Sequence, residues 1–244
     1  MNIVILMAGP EEQFIEEGYS FPKPLIEINN KPIIQHVVEG IKPFIKREDR
    51  IIFIVKEKDV EKYYLNNTIK LLAPNSLIIS TSGDTAGGAV SALLSIESVD
   101  ISDSLLIING DQIIEENLLC LVNHFDGLDA GVVVFNSIHP RWSYVACDKD
   151  GYVVEAAEKN PISDLATAGF YYYKSSNDYF EATKSMIMKD SHVKGAFYVC
   201  PVFNEMILNH KKIGVHKIDI HKYHSLMTPK MVLQYESYLI ARDK

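Results

Sequence analysis

Cysteine is nearly absent from this chain. Its 244 residues hold three, Cys120, Cys147 and Cys200, far apart and odd in number. That spacing excludes a disulfide framework and a paired-cysteine zinc site, and it fits a reducing compartment. Long apolar runs are missing too: no stretch approaches the ~18–20 residues that a membrane helix needs. The apolar start, Ile3 to Met7, is too short for the core of a secretory leader and has no basic region before it. A cytoplasmic protein with no membrane partner is expected. Positive charge is in short supply, with 24 basic residues against 32 acidic ones and a net charge of −8. Nucleic acid is therefore not the expected partner. A nucleotide remains compatible, because a bound divalent cation and a few local lysines override the global field. No Gly-x-Gly-x-x-Gly follows the first apolar run, which argues against a dinucleotide-dependent dehydrogenase.

What is present is an ordinary globular composition, 47% hydrophobic and 23% charged. The length suits one large α/β domain, with a first half to about residue 125 and a second from about residue 126. In the first half, unbroken apolar runs at Asn2–Met7, Arg50–Val55, Ser76–Thr81 and Leu105–Ile108 read as strands buried on both faces. Helical patterns separate them at Ile33–Ile45, Asp59–Leu71 and Gly88–Ile96. This alternation predicts a mostly parallel sheet with right-handed crossovers and helices on both sides. The second half reads as strands at Asp129–Asn136, Ala168–Lys174 and Gly214–Ile220, with a hairpin turning at Asp148–Gly151. Helices are expected at Ser176–Met188, Val199–Asn209 and Pro229–Ala241, the last opening on its proline.

Two segments near the start suit phosphate chemistry. Leu6-Met7-Ala8-Gly9 ends the first strand in small residues, so backbone N–H groups there can approach a nucleotide closely. Pro22-Lys23-Pro24-Leu25 mounts one ammonium between two rigid prolines, and Lys31-Pro32-Ile33-Ile34 follows. A tight structural turn and a solvated lysine would produce the same residues, so neither segment decides alone.

Together these segments resemble the signature of the sugar-nucleotide pyrophosphorylases, nucleotidyltransferases with a GT-A-like fold. Lys23 follows Gly9 by fourteen positions, as that family's lysine follows its glycine. The resemblance implies a three-layer α/β/α fold with a mixed, mostly parallel central sheet. It also implies that Leu6, Met7, Ala8 and Gly9 hold the nucleotide while Lys23 contacts phosphate. Ser82 to Gly88 is similar to the family's segment lining base and ribose, which implies nucleotide contacts from Gly83, Thr85 and Ala86. Asn109-Gly110-Asp111 resembles the metal-binding turn, with Gly110 beside the nucleotide and Asp111 as an oxygen ligand suited to Mg²⁺. Glu158-Lys159 and the strand with Gly169 and Tyr171 look like the acceptor side. There Lys159 would meet the acceptor's phosphate as a second catalytic cation, and Glu158 its polar groups. Phe197-Tyr198, Pro201–Asn204 and Thr228-Pro229 extend the likeness over nearly the whole chain.

Two departures stand out. Where the family has a second glycine and an arginine in the first loop, this chain has Glu11 and Gln13. That arginine would neutralise the leaving pyrophosphate, and acids near a triphosphate repel it unless they face solvent or meet a cationic acceptor. The aspartate expected three residues before Thr228 is Ser225, leaving Asp219 as the nearest candidate for a second Mg²⁺ ligand. His216, His221 and His224 have no compact metal spacing.

The implied reaction transfers a nucleoside monophosphate from a nucleoside triphosphate, CTP favoured, to a phosphorylated small molecule. The short chain looks like the cytidylyltransferases of bacterial capsule pathways, which points to phosphoglutamine as acceptor, a precursor of capsular phosphoramidate. A sugar 1-phosphate is the conventional alternative. A GT-A glycosyltransferase would usually show an Asp-x-Asp turn, which Asp111-Gln112-Ile113 lacks. A non-catalytic nucleotide-binding protein would account for the altered first loop. A homodimer is left open.

Overall fold

The computed structural model describes residues 1–242. Its first strands are β1 (Asn2–Leu6), β2 (Glu27–Ile28), β3 (Lys31–Pro32), β4 (Arg50–Lys56), β5 (Leu77–Thr81), β6 (Leu105–Asn109) and β7 (Gln112–Ile114). Then come β8 (Ala130–Asn136), β9 (Ser143–Cys147), β10 (Val153–Glu158), β11 (Leu165–Tyr173), β12 (Ile213–Lys217) and β13 (Tyr223–Ser225). The first five helices are α1 (Glu12–Glu16), α2 (Ile33–Ile41), α3 (Glu57–Tyr63), α4 (Leu65–Leu72) and α5 (Gly88–Leu93). The others are α6 (Leu118–His124), α7 (Ser176–Met188), α8 (Val202–Leu208) and α9 (Pro229–Arg242).

The four apolar runs of the first half lie side by side and parallel, in the order β6-β1-β4-β5. Their side chains alternate between the faces of the sheet. Ile3, Ile5, Phe53 and Val55 join the core that includes α2, α6 and α9, whereas Val4, Ile52 and Ile54 join the one that includes α5, α7 and α8. Burial on both faces explains why these strands carry no polar alternation. The second half widens the same sheet. β11 runs antiparallel to β6, β8 and β9, β10 pairs with β9, and β12 joins β8 in parallel. The result is the expected three-layer α/β/α fold, a mixed sheet with a parallel centre.

Element ends differ from the sequence expectation where local chemistry intervenes. The helix expected over Ile33–Ile45 stops at Ile41, and Lys42–Phe44 tightens into a 3₁₀ turn around Pro43, which cannot donate to the helix. The helix expected over Asp59–Leu71 splits at Tyr64, a left-handed residue (φ 53°) between α3 and α4. β12 ends at Lys217 because Asp219 caps a short 3₁₀ turn, its carboxylate accepting from the backbone N–H of His221 at 2.9 Å. The hairpin at 148–151 forms as expected, Asp148 Oδ1 accepting from the N–H groups of Asp150 and Tyr152, both at 2.9 Å. Among the described residues, no helix is long and apolar enough to cross a membrane.

Candidate active site

A cleft of about 440 Å³ opens at the carboxyl ends of β1 and β6 and is walled on the far side by β9, β10 and β11. Ligands of open α/β sheets bind at this edge. Leu6, Ala8, Gly9 and Thr85 line one side of it. Met7, 4% exposed, points into the core instead. Gly110 does not line the cleft but lets its own turn close against β1. Its N–H donates to Leu6 O at 2.8 Å, and a Cβ there would strike Met7. Gly83 and Ala86 also lie off the lining. Ala86 instead ties the segment to the second half, its carbonyl accepting from Phe197 N at 2.7 Å.

Lys23 does not itself line the cleft but pairs with Asp111, which does. Lys23 opens a 3₁₀ turn set by Pro22 and Pro24, and its side chain is 7% exposed. Its Nζ donates to Asp111 Oδ2 at 2.7 Å and to Pro10 O at 3.2 Å. The Asp111 side chain lines the cleft and remains 20% exposed. This pair places a mounted cation and a solvent-accessible hard oxygen ligand within one hydrogen bond of each other.

The opposite wall carries the other predicted residues. Glu158 is 8% exposed and accepts a hydrogen bond from Ser143 Oγ. Burial raises its carboxyl above the usual value, outweighing the opposing pull of Ser143 and Lys159. Lys159 adopts a left-handed backbone (φ 55°) and does not itself line the cleft. Its Nζ donates to Tyr198 Oη at 2.9 Å, and Tyr198 lines the cleft. Gly169 (φ 60°) lies where the register of β11 shifts, and a Cβ there would overlap Gln112 and Asn109. Gln112 Nε2 donates to its carbonyl at 2.9 Å. The Tyr171 hydroxyl shares a 2.9 Å hydrogen bond with Thr167.

Asp219 is not brought to the cleft: its carboxylate caps the turn before β13 and does not line the cavity. The chain position beside Asp111 belongs to Ser225, which pairs with Gln112, while Leu226 N donates to Asp111 O at 2.7 Å. Among the described residues, no group of three His, Cys, Asp or Glu side chains is placed to hold a metal ion. Of the carboxylates lining the cleft, Asp111 at the end of β6 is one that could hold a divalent cation, with water and substrate oxygens filling the rest of its shell.

Sequence reasoning missed the segment Arg141-Trp142-Ser143, all three of which line the cleft. Trp142 is the only tryptophan in the chain, and that scarcity was a usable signal. It packs edge-on against Phe135 and Tyr223, at 5.4 and 5.7 Å between ring centres. Its carbonyl accepts from Lys159 N at 2.9 Å, which couples this segment to the Glu158-Lys159 wall.

Glu11 also departs from expectation. It neither faces solvent nor waits for an acceptor: it is 7% exposed, with Oε1 2.6 Å from Lys58 Nζ and 3.6 Å from Lys56 Nζ. Burial acts to raise its carboxyl, but the hydrogen bond from Lys58 and both lysine charges outweigh it and hold the group below its ordinary value.

The sequence model of the nucleotidyl transferase family matches residues 3–210. The chain belongs to that family. This nucleotidyl transferase homologue is 32% identical over 188 residues to the bifunctional protein GlmU of Methanocaldococcus jannaschii, a match covering 75% of this chain and 43% of that protein. It thus spans less than half the length of that relative. A solved nucleoside-diphosphate-sugar pyrophosphorylase from Vibrio cholerae RC9 superposes with a TM-score of 0.86 at 25% identity, covering 96% of this chain and 99% of that one. The inositol-1-phosphate CTP transferase from T. maritima shares the fold at 14% identity and a TM-score of 0.74, covering 97% and 94% of the two chains.

Proposed function

We propose that this chain is a single nucleotidyltransferase domain that moves a nucleoside monophosphate from a nucleoside triphosphate to a small phosphorylated acceptor. The observation that carries this reading is the 2.7 Å contact between Lys23 and Asp111 on the cleft, in a chain of the nucleotidyl transferase family. An anionic phosphate oxygen of the acceptor attacks the α-phosphorus, forming the new O–P bond. The bond to the β-phosphate oxygen breaks, and pyrophosphate leaves with its electron pair. No proton need move, so alignment and charge neutralisation do the catalytic work. Lys23 neutralises the transferring phosphoryl group, and Asp111 is the ligand for Mg²⁺, which would supply charge stabilisation at the phosphates. Leu6, Ala8, Gly9 and Thr85 accept the nucleoside, while Lys159 meets the acceptor's phosphate and Glu158 its polar groups. A cytoplasmic location accords with nucleoside triphosphates as donors.

A sugar 1-phosphate is the leading acceptor class. The support is the likeness to a nucleoside-diphosphate-sugar pyrophosphorylase over nearly both whole chains. A second reading, CTP with phosphoglutamine, draws on the charges of the acceptor wall. Glu158 is buried with Ser143 Oγ donating to it, and Arg141 lines the same cleft. A carboxylate and a guanidinium so placed suit the ammonium and carboxylate of an amino acid. Glu11, already engaged by Lys56 and Lys58, does not serve that purpose.

Pyrophosphate release with Mg²⁺, each of four nucleoside triphosphates and both acceptor classes tests the reading. Release dependent on one donor and one acceptor supports it and names both. Sole turnover of a sugar phosphate ends the phosphoglutamine alternative. Binding of a nucleotide without release for any acceptor would favour a non-catalytic nucleotide-binding role.

A further inference from the structure

The first loop lacks a cationic side chain, yet two lysines from β4 and α3 reach its back. Lys56 ends β4, two positions beyond Ile54, the partner of Leu6. It is 6% exposed. Its Nζ lies 3.6 Å from Glu11 and 3.8 Å from Asp84, and among the described residues it makes no hydrogen bond within 3.5 Å. Lys58 reaches the same Glu11 oxygen at 2.6 Å from a side chain that is 59% exposed. The second Glu11 oxygen accepts from Lys23 N at 3.4 Å, which joins this cluster to the mount of the Lys23–Asp111 pair. Pro10 and Asp84, the neighbours of the cluster, line the cleft.

Sheet order says which substrate faces these lysines. Asp111 follows β6; the β9–β11 wall lies on one side of β6, and β1 and β4 lie on the other. In-line displacement puts the leaving oxygen opposite the attacking one. An acceptor held at the β9–β11 wall therefore directs pyrophosphate toward β1 and β4. A buried ammonium without a full hydrogen-bond complement is a costly arrangement unless a ligand completes it.

We propose that Lys56 and Lys58 supply the positive charge that faces the donor's β- and γ-phosphates, with Glu11 as their resting counter-ion. This rests on the nucleotidyl-transfer reading for its direction. Glu11 competes with the polyphosphate for the two ammonium groups and holds them in place before it binds. The lysines thus perform, from the end of β4 and the start of α3, what an arginine in the first loop would otherwise do.

The test is calorimetric binding of Mg²⁺-pyrophosphate and of each nucleoside triphosphate, with the nucleoside monophosphates as controls and no acceptor present. Lys58→Ala and Lys56→Met are expected to weaken pyrophosphate and triphosphate binding about tenfold or more, with monophosphate binding changed less than about twofold. Lys56→Arg is expected to restore most of the loss. Glu11→Gln, which removes the competing charge, is expected to tighten pyrophosphate binding several-fold. Unchanged pyrophosphate affinity in both lysine variants, or weakening by Glu11→Gln equal to theirs, overturns the proposal, as does a wild-type protein that does not bind pyrophosphate. Lys58 is exposed enough for its alanine variant to fold, and thermal unfolding verifies this for each protein. Because binding is read without an acceptor, failure to turn over any acceptor is a separate result.

Discussion

Lys23 Nζ and Asp111 Oδ2 stand 2.7 Å apart across 88 residues of sequence, one from a proline-braced turn and the other from the end of β6. Each constrains the other: the ammonium fixes one carboxylate oxygen, and the other oxygen remains available to a cation. Removing either partner is expected to lower turnover by about 10²–10³-fold. Asp111→Asn keeps the shape and loses the charge; Lys23→Ala loses the phosphoryl contact. Pyrophosphate release measures the loss, and circular dichroism with thermal unfolding should show the fold intact. Near-normal turnover in either variant would remove that residue from the mechanism.

Gly169 has a left-handed backbone and no room for a Cβ beside Gln112 and Asn109. Gly169→Ala is expected to cost at least about 2 kcal/mol of stability and to displace the Asn109–Asp111 turn. Denaturant unfolding measures the first, and activity of the folded fraction the second. A variant as stable and active as wild type would show that β11 absorbs the change.

Burial raises the Glu158 carboxyl above its ordinary value, so its charge is lost at a higher pH than that of a free glutamate. If its carboxylate binds the acceptor, acceptor KM rises as pH falls, and the rise begins at a higher pH than an ordinary glutamate would give. Glu158→Gln should raise KM at high pH and flatten the profile. A profile unchanged by the substitution would assign the titration to another group.

Tyr198→Phe deletes the hydrogen bond from Lys159 and keeps the ring under its ammonium, which lies 5.0 Å from the ring centre. Acceptor KM is expected to rise about fivefold with donor KM unchanged. Steady-state kinetics with each substrate varied decides it, and a change confined to the donor would place Lys159 on the other side of the reaction.

Asp59 lies behind the Glu11 cluster, with Oδ2 buried and without a hydrogen bond among the described residues. Burial first, and then the charge of Glu11, push it up to about 6. The folded state then holds this proton more tightly than the unfolded chain. Stability accordingly falls as pH rises between about 4 and about 6, and the deficit persists at higher pH. Asp59→Asn is expected to raise the unfolding temperature by a few degrees, roughly 2–4 °C at pH 7.5, and to change it little at pH 4. Equal effects at both pH values would exclude the titration as cause.

The sequence alone was sufficient for the parallel strands, because strands buried on both faces must be apolar throughout. It also sufficed for the family likeness, since Leu6–Gly9, Lys23 and Asn109–Asp111 are local motifs whose spacing survives in one dimension. The helix break at Tyr64 and the three-residue pairing of β7 with β13 were not legible, because strands so short carry no periodicity. Tertiary structure decided which side chains share the cleft. It brought Lys23 to Asp111, put Ser225 rather than Asp219 beside that turn, and added Arg141 and Trp142. It also turned Glu11 from an isolated acid in the first loop into the counter-ion of Lys56 and Lys58. Sequence distance gives no measure of such encounters, because the sheet sets them by strand order, and strand order is settled only when the whole core packs.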